Sequence, residues 1–279
     1  MQQFVASDGV AIAFESEGAG RPVVLLHGLM AHGGFFEPQR LLAEDFRMIR
    51  IDLRGHGRSP AGRTAVTVER LARDVAELAE ELDLENAICI GWSLGASVLW
   101  RLLAGPASAR FAGAVVIDMT PRVLNEADWS LGLSGEVCEA RRQAIADDFE
   151  TFAANAGAAI FAQPAEPGIK PLADWAAHEF ARNDAAAIGT LWASLVDEDL
   201  RPLLARIAQP TLVVHGAQSH LYGADTAEHV AAALPNAESL RFERSGHSPH
   251  LEQPDLFNAA IRDFAASLPP VRTTQLIAE

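Results

Sequence analysis

Only two cysteines, Cys89 and Cys138, occur in the 279 residues. That is too few for a disulfide framework, and no Cys/His spacing resembles a zinc site. Cys89 sits in the apolar run Ala87–Ile90, where a thiol reads as a small buried hydrophobe. Cations are scarce too: 22 Lys and Arg face 37 Asp and Glu, a formal charge of −15. The densest basic spots are pairs such as Arg141 and Arg142. Nucleic acids and anionic membranes are bound by clustered cations, so neither is an expected partner. Apolar runs such as Pro22–Leu26 and Ala112–Ile117 fall far short of the ~20 residues that span a bilayer. The first residues, Met1–Val5, have no basic n-region and no apolar h-region. No signal peptide is therefore expected, and the expected location is cytoplasmic. No Walker-type or GxGxxG loop follows a strand, which disfavours a nucleotide-binding protein. There is no internal repeat and no low-complexity tract.

What is present is an ordinary globular composition, 49% hydrophobic and 21% charged. Short strands are expected at Phe4–Ala6 and Val10–Glu15, around the turn Ser7-Asp8-Gly9. Further strands are expected at Val23–His27, Arg47–Asp52, Ala87–Gly91 and Phe111–Asp118. Between them, Val68, Leu71, Val75, Leu78 and Leu82 fall at helical spacing, and Phe36–Ala43 and Leu94–Leu103 read as helices. Strands that are apolar throughout and alternate with helices indicate a parallel sheet covered on both faces. The alternation breaks from about Pro121 to Asp199, an Ala-rich stretch of helical pattern carrying Trp129, Trp175 and Trp192. The sheet pattern resumes with strands at Thr211–His215 and Ser239–Glu243, and helices at Thr226–Leu234 and Asp255–Leu268. The expected organisation is a core of residues 1–120 and 208–268, an inserted helical cap at 121–207, and a weakly ordered tail at 269–279.

The sharpest chemical signal is Gly91-Trp92-Ser93-Leu94-Gly95. It follows an apolar strand and opens a helix, the setting of a nucleophile elbow. Its glycines permit a turn tight enough to expose the Ser93 hydroxyl, and the helix start adds free N–H groups and a positive dipole end.

With this motif the sequence resembles the α/β-hydrolase fold superfamily over nearly the whole chain. His27-Gly28 resembles its oxyanion loop, and Asp52-Leu53-Arg54-Gly55-His56-Gly57-Arg58-Ser59 its loop after the fourth strand. Gly246-His247-Ser248-Pro249-His250-Leu251-Glu252-Gln253-Pro254 resembles the segment that carries the catalytic histidine. The resemblance implies an α/β fold: a mostly parallel, eight-stranded sheet flanked by helices, with an inserted helical cap. It implies Ser93 as nucleophile, His247 as general base and then acid, and an oxyanion hole from the backbone N–H groups of Leu29 and Leu94. His27, His56 and His250 read as structural. His32, in the Gly-rich loop, and Trp92 are candidate substrate contacts.

The triad acid is the departure. The family pattern G-x-x-D after the seventh strand is here Gly216-Ala217-Gln218-Ser219. Ser219 accepts a hydrogen bond but carries no charge, so it stabilises an imidazolium poorly. Asp118 ends the sixth strand, where an open parallel sheet builds its site. A subset of bacterial esterases that this sequence resembles pairs an Asp there with a Ser at the usual acid position. Asp225 is the alternative acid, with helix N-capping as its bland role. A degraded triad is the third option.

The expected activity is that of a serine carboxylesterase acting on a small-molecule ester by an acyl-enzyme route, with no cofactor and no metal. A monomer or homodimer is expected. Lactone opening, amide hydrolysis, perhydrolysis and carbon–carbon bond hydrolysis use the same Ser–His pair. Haloalkane dehalogenation and epoxide hydrolysis need a carboxylate where Ser93 stands. A non-catalytic ligand receptor on the same fold stays open because of Ser219.

Overall fold

The structure is a computed structural model and describes residues 2–270. The expected tail falls mostly at 271–279, outside the described residues. Eight strands form one sheet in the order β1-β2-β4-β3-β5-β6-β7-β8. They are β1 Gln2–Val5, β2 Ala11–Glu17, β3 Pro22–Leu26, β4 Arg47–Ile51, β5 Ala87–Trp92, β6 Phe111–Ile117, β7 Thr211–Gly216 and β8 Ala237–Phe242. The β1–β2 and β2–β4 pairs are antiparallel, and every pair from β4 to β8 is parallel. The parallel strands read apolar because both faces are covered: β5 is buried at all six residues. At the edge, β8 exposes Glu238, Ser239 and Arg241.

Two helices build the elbow side of the sheet. Helix α1, Val68–Glu81, turns Val68, Leu71, Val75 and Leu78 inward, and Thr67 Oγ1 caps it by accepting the Arg70 N–H at 3.1 Å. Helix α2, Leu94–Leu103, is buried on nearly every side and starts directly after β5. The expected helix after β3 is a kinked 3₁₀ stretch, Gly33–Glu44, interrupted at Phe36 and containing Pro38. Proline removes a helical donor and clashes with the preceding turn, which prevents a regular α-helix there.

Between β6 and β7 lie α3 Gly135–Asp147, α4 Phe149–Ala159, α5 Lys170–Ala181, α6 Ala185–Asp197 and the short α7 Arg201–Leu204. The stretch before α3 is not helical. It is pinned by isolated bridges, Arg122 with Asp199, Leu124 with Leu133 and Glu126 with Trp129. Beyond β7 come α8 Ala224–Ala233, α9 Pro249–Glu252 and α10 Pro254–Ser267.

Chain order reverses at β3: the next strand, β4, pairs on one side of it, and β5 on the other. Such a switch point leaves a crevice at the carboxyl ends of the strands. The Gly28–Leu29 loop follows β3 and Ser93 follows β5, so both open into that crevice.

Candidate active site

Ser93 sits between β5 and α2 with φ 53° and ψ −120°, a strained region for a residue with a Cβ. The turn is that tight because neighbours close on it. A Cβ at Gly95 would lie 2.0 Å from the Leu26 carbonyl oxygen, and one at Gly91 2.4 Å from that of Gly95. Only glycine fits at either place. The serine N–H donates to Ile117 O at 3.0 Å, which ties the elbow to the end of β6.

The Gly28–Leu29 loop also packs against the elbow. A Cβ at Gly28 would meet Ser93 Cβ and the Trp92 ring at 3.3 Å. Neither the Leu29 nor the Leu94 N–H has a hydrogen-bond acceptor among the described residues. His27 accounts for the loop's orientation. Its Nε2 accepts the Leu53 N–H at 2.9 Å, so Nδ1 carries the proton and donates to Gly28 O at 2.8 Å. A trans peptide directs its N–H opposite to its carbonyl, so holding Gly28 O turns the Leu29 N–H away from His27. Burial first, then the neighbouring His56, holds the His27 ring well below the ordinary histidine range, which keeps it neutral for this task.

His247 and Asp118 meet in the interior. His247 Nδ1 lies 2.5 Å from Asp118 Oδ2, and both side chains are 2% exposed. Asp118 follows β6 at φ 46°. Nε2 is the ring nitrogen left for a partner in the crevice. The histidine loop is also held from below: Trp92 Nε1 donates to His247 O at 2.8 Å. Ser219 does not reach the imidazole. Its hydroxyl donates to Asp118 Oδ2 at 2.7 Å, so at the usual acid position it is a partner of the carboxylate. Asp225 lies on the exposed first turn of α8, away from His247, and the residue before that helix is Gly223. Its side chain is therefore neither beside the histidine nor the N-cap.

Ser93, His247, Gly28, Leu29 and Trp92 share one cavity of about 260 Å³. Its remaining wall comes largely from the helices between β6 and β7: Arg141 on α3, Phe152 and Asn155 on α4, Phe180 on α5 and Trp192 on α6. Tyr222, the chain's single tyrosine, lines it too, with its ring centroid 6.1 Å from that of His247. Of the three tryptophans between β6 and β7, only Trp192 faces this cavity. Trp175 packs on Phe35 at 4.4 Å between centroids, and Trp129 donates to Arg122 O at 2.8 Å.

His32 lies outside the Ser93 cavity, against the expectation that it touches substrate. It opens a separate polar cleft shared with Arg50, Asp52 and Glu179. Its Nδ1 accepts the Gly34 N–H at 3.1 Å and Nε2 lies 3.2 Å from Glu179 Oε2 on α5. The Gly-rich loop curls into the 3₁₀ stretch, which His32 caps, and this turns its side chain away from the Ser93 cavity. His250 is buried against Phe36, Trp92 and Phe257, and His56 Nδ1 donates to Arg54 O at 3.1 Å. Among the described residues no cluster of three or more His, Cys, Asp or Glu is arranged to hold a metal. No helix among them is long and apolar enough to cross a membrane.

Two ties near the site have no role assigned by any motif. Asn183, just past α5, donates from Nδ2 to Met30 O at 2.7 Å, joining the inserted helices to the oxyanion loop. Glu252 accepts the N–H of Ala162 at 2.8 Å and of Gly246 at 2.7 Å, joining them to the histidine loop. Asn183–Met30 and Glu252–Ala162 are long-range pairings of common residue types, and no spacing signals them.

The fold and the elbow define a member of the alpha/beta hydrolase family: that family matches residues 23–260, and the chain belongs to it. Among curated proteins, it is 30% identical over 251 residues to a pimeloyl-acyl-carrier-protein methyl ester esterase of Nitrosomonas europaea, covering 88% of this chain and 96% of that one. It is 30% identical over 276 residues to a non-heme chloroperoxidase of Streptomyces lividans, covering 96% of this chain and 100% of that one. Among solved structures, an esterase from Exiguobacterium antarcticum superposes with a TM-score of 0.89 at 27% identity, over 95% of this chain and 99% of that one.

Proposed function

We propose that this protein is a serine carboxylic ester hydrolase working through a Ser93–His247–Asp118 triad. The observation that carries the reading is the strained Ser93 sharing a cavity with a histidine whose far nitrogen is held by a buried carboxylate. The similarity to proteins named esterases supports the ester as substrate.

In this reading Ser93 Oγ attacks the ester carbonyl while His247 Nε2 takes its proton. Asp118 fixes the imidazole tautomer and offsets the positive charge that forms. The carbonyl oxygen becomes an oxyanion facing the Leu29 and Leu94 N–H groups at the start of α2. His247 then returns the proton to the departing alcohol. Water enters, gives a proton to His247 and attacks the acyl carbon; as the intermediate collapses His247 passes that proton to Ser93 Oγ, which leaves the acid and a free Ser93 hydroxyl. Residues 121–207 act as a cap that closes over the acyl chain, with residues 1–120 and 208–268 as the core. Cytoplasmic location, and work as a monomer or homodimer, belong to the same reading; the two free buried cysteines favour the location alone.

Ser93→Ala is expected to abolish p-nitrophenyl ester hydrolysis and labelling by a fluorophosphonate. Near-normal turnover by that variant would remove the assignment. Asp118→Asn is expected to lower kcat by about 10⁴-fold, as loss of the corresponding acid does in a serine protease. A benign Asp118→Asn would instead point to a dyad. Perhydrolysis fits the same acyl-enzyme, with hydrogen peroxide replacing water and a peracid leaving. The similarity to a protein named chloroperoxidase favours measuring it, as peracid formation from acetate and peroxide that Ser93→Ala removes.

A further inference from the structure

The chain carries a charge of −15, yet the wall of the Ser93 cavity holds no carboxylate and one permanent cation, Arg141. Most buried or half-buried arginines elsewhere among the described residues have a partner: Arg50, Arg54, Arg70, Arg101 and Arg122 each hold an Asp or Glu, while Arg21 donates to backbone carbonyls and Arg47 to the Ser16 hydroxyl. Arg141 is half-buried and has no ion pair or hydrogen bond among the described residues. Its neighbour Arg142 takes the nearby Glu139. The Arg141 guanidinium instead lies over the Trp192 ring, 5.6 Å from its centroid, which orients the planar fork without using its donors. The charge reaches the catalytic end: burial pushes the Tyr222 phenol up, and Arg141 opposes that push. Asn155, from the adjacent helix, adds an amide to the same wall.

We infer that this cavity selects esters bearing a carboxylate, which Arg141 grips while the ester carbonyl lies at Ser93. An aliphatic chain between the two groups suits the apolar wall of Phe152, Ile160, Phe180 and Leu195. A guanidinium recognises a carboxylate through two parallel N–H donors, and the half-buried Arg141 has none of its donors committed to an anion already. The chemical class is the half-ester of a dicarboxylic acid or the acyl ester of a hydroxy acid. The inference rests on the hydrolase reading for what happens at Ser93, and on Arg141 alone for selectivity.

The test compares monomethyl esters of C4 to C8 dicarboxylic acids with methyl alkanoates of equal length. A second arm uses acetyl esters of ω-hydroxy acids against acetyl esters of the matching alcohols. The two arms distinguish an anion on the acyl side from one on the alcohol side. In at least one arm the wild type is expected to favour the charged ester in kcat/KM. Arg141→Gln is expected to lower that charged-to-neutral ratio at least tenfold, and Arg141→Lys to retain more of it than Arg141→Gln. A ratio that Arg141→Gln does not move, or a wild type that prefers neutral esters in both arms, overturns the proposal. Calorimetric binding of the C4 to C8 dicarboxylates to Ser93→Ala, with and without Arg141→Gln, needs no turnover. Arg141-dependent binding without hydrolysis would keep the anion site and discard the hydrolase reading. Hydrolysis of neutral esters with no Arg141-dependent binding would do the reverse.

Discussion

His27 shows how one residue can govern the site without meeting a substrate. Its two ring nitrogens bridge the Leu53 N–H and the Gly28 carbonyl, and the second bond sets the direction of the Leu29 N–H. In His27→Leu both bonds are lost. One buried N–H is left unsatisfied, at a cost of about 1–3 kcal/mol in stability. If the Leu29 N–H also turns, loss of one oxyanion donor lowers kcat by about 10²-fold or more. The discriminating measurement is affinity for a boronate, which mimics the oxyanion. It is expected to weaken with kcat, whereas a purely structural role would leave boronate binding to the folded fraction unchanged. Ser219 belongs to the same scale. As a donor to Asp118 Oδ2 it competes with His247 for one oxygen and helps to hold a carboxylate at φ 46°. Ser219→Ala is expected to lower kcat about tenfold, the worth of one hydrogen bond to a charged group, with Ser219→Thr closer to wild type.

At the scale of elements, the site is a joint between two bodies of structure. The sheet supplies Ser93, His247, Asp118 and the oxyanion loop, while α3 to α6 supply most of the remaining wall. Few polar ties cross that joint next to the chemistry: Asn183 to Met30 O, Glu252 to Ala162 N, and His32 to Glu179. Met30 has φ 66°, an uncommon conformation for a side chain that size, so its carbonyl needs an external hold. Asn183→Ala is expected to release it. The Tm should fall modestly, by the ~1 kcal/mol of one hydrogen bond, while KM rises because the wall and the loop no longer keep register. Hydrogen exchange at residues 29–32 and in α5 reads the loosening directly. Unchanged exchange and KM would mean that the two bodies are held by apolar packing alone.

At the scale of the molecule, the sheet was legible because its central strands are continuously apolar and its helices keep their period. The 3₁₀ stretch was not, because Pro38 and a capping His32 override a helical pattern. Ser93 and His247 stand in local motifs. The carboxylate beside His247 was legible only as a choice among Asp118, Asp225 and none, since Asp118 and His247 are 129 positions apart and only chain folding joins them. Burial of histidines was likewise invisible, and it governs the response to pH. Burial pushes His56 down to about 4 and His250 down to about 3, and holds His27 well below its ordinary value. All three are neutral in the folded protein, whereas the unfolded chain protonates them near pH 6.5. Below that value the unfolded state binds more protons, so their contribution is complete above about pH 6.5 and is lost on acidification. Each contributes about 1.4 kcal/mol per pH unit across the window, so three together tilt stability by roughly 4 kcal/mol per unit near pH 5. Urea midpoints at pH 7, 6 and 5 are expected to fall with growing steepness. Both ring nitrogens of His250 lack a partner among the described residues, and its ring packs on Phe36, Trp92 and Phe257. His250→Phe removes this titration and keeps an aromatic ring, so it should flatten the slope by about a third whatever it does to stability at pH 7. An unchanged slope would mean that His250 is protonated in the folded chain and that the ring is not the sealed aromatic neighbour it is here.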